Sequence, residues 1–232
     1  MLRSRWLKLL VFVLCLVPLG HLAWRAWNQD LTANPIEYIT HVTGDWTIRL
    51  LVITLAVTPL RRLLALPDLI RFRRMLGLYA FFYATLHVLT YLVIDHFFDF
   101  QGILGDVAKR RFITVGFAGY VMLAALAVTS TTGWIRRLGG KRWQRLHRLV
   151  YFAIVAGVVH YYWLVKSDTR LPLFYGALAA LLLGYRVAAW AARRGDRPST
   201  RPAQGASVTA SMGSLRTIAE AASPSDGRAD RP

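Results

Sequence analysis

Cysteine is almost absent. The single one, Cys15, sits in the first apolar run. It excludes an internal disulfide and any cysteine-held metal cluster, and reads as a small lipid-facing or packing residue. Acid is scarce as well: 12 Asp and Glu stand against 29 Lys and Arg, a formal net charge of +17. Such an excess would suit nucleic acid, but the basic residues cluster between apolar runs, where membrane topology accounts for them. No phosphate loop, nucleophilic triad or zinc motif is found. There is no dedicated nucleotide-binding domain, so NADPH oxidation within this chain is not expected. What is present is apolar: 55% of the residues are hydrophobic and the mean hydropathy is positive. Runs near 20 residues read as membrane spans.

The chain is organised around residues 141–163, KRWQRLHRLVYFAIVAGVVHYYW, where a basic segment runs into an apolar helix with His147 and His160 at its ends. Thirteen residues amount to roughly 19–20 Å along a helix. An ionisable side chain inside a membrane helix is a functional-site hypothesis by default. One histidine near each face suggests a path across the bilayer for electrons or protons.

Taken in order, residues 6–27 form a retained first helix rather than a signal peptide, because bulky HLAWRAW follows where a cleavage site would need small residues. Residues 28–45 read as a polar loop, and 46–60 as a short second span whose Arg49 snorkels to the interface. The third span is about 76–98, with a loop to about 112. The fourth is about 113–133 and rich in small residues such as Gly116 and Gly119. A loop over 136–148 carries six Lys or Arg and no acid. The fifth span is about 148–165 and the sixth about 171–191. From about 196 the chain is Pro, Ser, Gly, Ala and charge, which predicts disorder.

The expected fold is therefore an all-α membrane protein, a six-helix bundle over residues 1–194 with a disordered cytoplasmic tail over 195–232. The basic N-terminus, the 61–75 loop, the 136–148 loop and the tail alternate with segments holding Asp30, Glu37, Asp45, Asp95, Asp99, Asp106 and Asp168. Both termini then face the cytoplasm. The KRR at 109–111 is a mild exception.

His87 and His160 form the strongest pair. Ala80 and Ala84 precede His87 on its helical face; Ala153, Ala156 and Gly157 precede His160. A flat macrocycle needs such a bare strip beside an axial ligand, and neutral imidazole is a standard haem iron ligand. Hydrogen-bonded packing histidines fit the same spacing. His147 sits about 140° round the helix from His160, so the two suit separate sites; an interfacial role for His147 is the other reading. His41 reads as a loop histidine near the outer surface, with a haem, quinone or partner contact as the alternative. His96 beside Asp95 suggests an interfacial ion pair, and His21 has no evident role. Topology explains the basic loops; Arg71, Arg73 and Arg74 are also placed to pair with haem propionates near the inner face.

Several blocks together resemble the MsrQ (YedZ) family of the ferric-reductase-like transmembrane group: NPIEYITHVTG at 34–44, VTPLRRL at 57–63, RFRRMLGLYAFFYATLH at 71–87, KRRFITVG at 109–116, TST at 129–131 and LGGKRWQRLHRLVYFAIVAGVVHYYW at 138–163. They span about 30–190. The resemblance implies one or two b-type haems held by histidines of helices three and five, with His87, His147 and His160 as metal ligands; Arg73 and Arg74 are expected at the cofactor from their charge alone. It implies a multi-pass protein of the bacterial inner membrane. Electrons pass from the membrane quinone pool to MsrP, a periplasmic molybdopterin reductase that repairs methionine sulfoxide. The sulfoxide chemistry then belongs to the partner, and this chain is an electron-transfer subunit. Flavin mononucleotide (FMN) is also associated with the family. One departure stands out. The wider group carries two histidines 13 or 14 residues apart on helix three, whereas here those positions hold Arg73, Arg74, Phe100 and Gln101. An inner haem would have His147 without a second histidine. The rival readings are a proton-coupled transporter and a non-catalytic membrane anchor for a periplasmic enzyme.

Overall fold

The computed structural model describes residues 5–165 and 167–195. Among them the structure is helical, with no strand. Eight α-helices follow in order: α1 (Arg5–Trp27), α2 (Pro35–Leu63), α3 (Ile70–Leu89), α4 (Phe100–Lys109), α5 (Arg111–Val128), α6 (Thr132–Leu146), α7 (Leu149–Leu164) and α8 (Arg170–Gly195). A 3₁₀ turn, Pro67–Leu69, leads into α3, and a π-helical turn, Thr90–Asp95, closes it. Four helical stretches are long and apolar enough to cross a membrane: Arg5–Trp27, Pro67–Asp95, Arg111–Val128 and Arg170–Ala192. The apolar α7 is shorter. Their large apolar side chains face outward, as at Leu14, Val121 and Leu181. The chain is a membrane protein.

α2 is the central element. It packs chiefly on α3 and also touches α7, while α5 packs on α7. Ile48, Leu51 and Leu55 of α2 are buried with Ala80, Tyr83 and Ile154. Its start is a reciprocal cap: the Asn34 side chain accepts from the Glu37 N–H, donates to the Glu37 carboxylate at 3.0 Å, and precedes Pro35. This cap starts the helix well before the run of apolar residues. Much of the segment expected as a polar loop over 28–45 is thus helix, and His41 lies on α2. Inside the helices, hydroxyls of Thr43, Thr54, Thr85 and Thr90 bond carbonyls four residues back. Each of these four hydroxyls is thereby satisfied within its own helix.

α1 lacks one backbone donor in its middle. Pro18 lies inside it and offers no N–H. One residue on, the Tyr83 hydroxyl accepts from Leu19 N–H at 3.2 Å and donates to the Cys15 carbonyl at 2.8 Å. A side chain from α3 thereby occupies a rung of the α1 ladder.

Two segments expected as loops are helical. α4 is capped by Asp99, whose side chain accepts from Gln101 and Gly102. Its Gly102 and Gly105 mask a pattern that Ile103 and Val107, four apart, still carry. α6 is two helical pieces joined at Gly139, where φ is 70° and ψ 151°, a backbone that glycine alone adopts freely. Arg49, expected to snorkel, turns inward to Asp45 at 3.1 Å and to the Tyr175 hydroxyl at 2.9 Å. The structure divides at Ala189; in the second unit the Arg194 guanidinium lies 3.9 Å over the Trp190 ring. The tail expected to be disordered lies, from residue 196, outside the described residues.

Candidate functional site

α3 and α7 each bring one histidine to a cavity of about 340 Å³, walled by α2 and α5 and covered by α4 through Ile103 and Val107. The His87 and His160 rings meet there with centroids 6.0 Å apart and planes at 88°. Each ring is oriented by a backbone carbonyl from another helix. His87 Nδ1 is 2.9 Å from the Thr40 carbonyl on α2, and His160 Nδ1 is 2.7 Å from the Phe112 carbonyl on α5. A carbonyl only accepts, so Nδ1 carries the proton in both rings. Nε2 is left with its lone pair.

Both rings fit because a glycine faces each. A Cβ on Gly44 would stand 3.1 Å from His87 Nδ1, and one on Gly116 would stand 2.5 Å from His160 Nδ1. Ala84, Ala153 and Gly157 line the cavity as well, so the small-residue strip beside each histidine is partly used. Ala80 is instead in the core, and Ala156 packs against Gly119.

This donor set suits one metal position. Two imidazoles on opposite sides of one metal, with bonds of about 2 Å, put their ring centroids about 6 Å apart. Among the described residues no group of three or more His, Cys, Asp or Glu is arranged to hold a bare ion. A planar macrocycle that brings its own four donors needs only these two axial nitrogens. The residues present therefore fit a haem.

The other predicted residues fall elsewhere. His41 lines the same cavity, 3.7 Å from Glu37. His96 Nε2 is 3.3 Å from Asp106 on α4 and so ties the π-helical turn to the cover. His147 is not at the cavity. It ends α6, stacked 3.9 Å from the Trp143 ring, with Nδ1 3.1 Å from the Trp143 carbonyl and Nε2 3.4 Å from Ser130. Burial holds it below the ordinary histidine range, and the positive charge of Arg73 pushes the same way. Arg73 lies near Tyr151 and Arg186. Arg186 in turn bonds the Tyr151 hydroxyl and the Leu55 carbonyl, both at 2.9 Å. Arg71 and Arg74 are exposed.

Sequence reasoning missed Thr40, Phe112 and Gly44. The first two act through carbonyls, which leave no mark in sequence. Gly44 was a visible signal, one α-turn beyond Thr40.

Residues 43–158 match the family described as ferric reductase like transmembrane component. A protein of Herminiimonas arsenicoxydans is 54% identical over 183 residues, which cover 78% of this chain and 84% of that protein. One of Caulobacter vibrioides is 50% identical over 80% of this chain and 87% of its own length. One of Bordetella pertussis is 50% identical over 82% and 92%. Each is named protein-methionine-sulfoxide reductase heme-binding subunit MsrQ. The chain belongs to the MsrQ family of ferric-reductase-like transmembrane proteins. The matched segment includes Gly44, His87, Gly116 and His147 and ends two residues before His160. The MsrQ relatives extend over most of the chain, and their names assign haem binding to those proteins.

Proposed function

We propose that the protein is a haem-bearing electron carrier of the bacterial inner membrane. His87 and His160 would hold one b-type haem through their Nε2 atoms. The observation that carries this is the pair itself: two imidazoles 6.0 Å apart, each with Nδ1 held by a backbone carbonyl and a glycine behind it. The MsrQ names of the relatives support haem and a methionine sulfoxide reductase partner. Haem supplies a one-electron redox centre; the chain supplies ligation, orientation and an apolar wall.

Six spans follow from α1, α2, α3, α5, α7 and α8, with α4 and α6 lying along the two surfaces. The basic α6 and the 61–75 turn then face the cytoplasm with both termini. The His87–His160 pair lies toward the outside, next to the acidic segments. Electrons come from membrane quinol and leave to MsrP, the periplasmic molybdopterin enzyme that reduces methionine sulfoxide.

The inner end forms a second cofactor locus. There Arg73, with Arg74 beside it in sequence, lies near His147, Tyr151 and Arg186. These groups suit the carboxylates of a second haem on His147 or the phosphate of FMN.

The test is anaerobic electron delivery. Purified protein is reduced with quinol, and MsrP with a methionine sulfoxide substrate is then added. Reoxidation of the haem bands within seconds is expected. Bands that stay reduced in the presence of active MsrP contradict the reading.

A further inference from the structure

A second cavity, of about 690 Å³, lies between α1 and α2 over Leu76 of α3. Cys15 and Pro18 of α1 form part of its wall. Its two ends differ in chemistry. Leu14, Val17 and Ile53 line one part and are 55, 55 and 44% exposed, so the cavity opens sideways to lipid. His21, Asp45 and Arg49 line the other. Asp45 borders both this groove and the histidine cavity. Arg49 fixes it from one turn away at 3.1 Å, and Arg49 is itself held by the Tyr175 hydroxyl and lies 5.1 Å from the Trp46 ring. Tyr161, the neighbour of His160, is beside Asp45 too. A proton-accepting carboxylate thus stands in the wall between a lipid-accessible groove and the pair proposed to hold haem.

We propose that this groove is the hydroquinone site, with the ring against Asp45 and the isoprenoid tail leaving between Leu14 and Ile53. The inference rests on the electron-carrier reading and adds where the electrons enter. Both O–H bonds of the hydroquinone break. One proton forms an O–H bond on Asp45 and the other an N–H bond on His21. The two electrons would be taken one at a time by the haem that His87 and His160 would hold, which the partner would reoxidise between transfers. The quinone leaves to the bilayer. A phospholipid chain would fill the apolar part of the groove but has no proton to give to Asp45.

The test uses the full-length, haem-loaded protein in detergent, with decylubiquinol as reductant and an azido-ubiquinone analogue as photolabel. Stopped-flow absorbance follows haem reduction. Asp45→Asn is expected to slow reduction on the order of a hundredfold, as loss of a proton acceptor does. Leu14→Trp, at a lipid-exposed position, is expected to slow it several-fold. Reduction by dithionite and the oxidised spectrum should be unchanged in both. The label should map to 11–21 or 38–53 and be displaced by decylubiquinone. A wild-type rate in Leu14→Trp, or a label mapping elsewhere, overturns the groove. A wild-type rate in Asp45→Asn overturns Asp45 as acceptor. Displacement of the label by phospholipid and not by decylubiquinone makes the groove a lipid site and overturns the proposal. Failure of decylubiquinol to reduce the wild-type haem at all overturns the quinol source itself as well.

Discussion

Two glycines decide how the imidazoles are held. At Gly116 an added Cβ would stand 2.5 Å from His160 Nδ1, closer than real contacts allow, and the ring is also fixed by Phe112. At Gly44 the distance is 3.1 Å, which a small ring shift relieves. Gly116→Ala should therefore lose most of its haem and Gly44→Ala far less. Haem content per protein, read from the pyridine haemochrome, checks the order; equal retention in both contradicts it. His41→Ala should keep most haem, since His41 lines the cavity with its ring toward Glu37, 3.7 Å away. The 88° between ring planes predicts the strongly anisotropic low-spin ferric EPR signal of crossed axial ligands; a rhombic signal of parallel planes contradicts it. At this scale the pair of histidines was legible because two ionisable residues inside apolar helices are rare. Their orienting partners were not legible, because any residue supplies a carbonyl.

At the scale of elements, the bridge that Tyr83 makes into α1 has a measurable effect on stability. Tyr83 is 1% exposed and its hydroxyl serves both Leu19 N–H and the Cys15 carbonyl. Tyr83→Phe leaves both backbone groups without that partner in an apolar setting and should destabilise by about 1–3 kcal/mol. A thermal midpoint several degrees lower, with the haem spectrum retained, is the expected result; an unchanged midpoint contradicts the bridging role. Helix existence was readable wherever a long apolar run set it, as in α1, α5 and α8. It was not readable in α4 and α6. There short length, glycines and charge hide helices that are held by capping at Asp99 and Thr131. The π-helical turn after α3 and the bend to positive φ at Phe97 and Phe98 left no sequence signal either. His96 and Asp106 fix α4 over the cavity there.

At the scale of the whole molecule, charge sets orientation. In the proposed topology basic α6 lies inside and α4 outside, on the side where the proposed partner would approach. Its Phe100 and Leu104 are 73 and 72% exposed. In a Cys15→Ala background, Gln101→Cys should react with a membrane-impermeant maleimide on intact cells, and Arg137→Cys should react only after lysis. The reverse pattern contradicts the orientation. The family was legible from ordered sequence blocks that extend across both histidine-bearing helices, α3 and α7. The separation of a histidine cavity from a lipid-open groove was not, because Asp45 joins them only once α1, α2 and α7 are assembled.

The most direct test of the central claim is the reduced-minus-oxidised optical spectrum of purified wild-type and His160→Ala protein, with haem-to-protein ratios. The account predicts sharp low-spin b-type bands in the wild type. In the variant these bands are lost or converted to high spin, because His87 loses the ring that meets it from α7. An unchanged low-spin spectrum in His160→Ala, at the wild-type ratio, would contradict it.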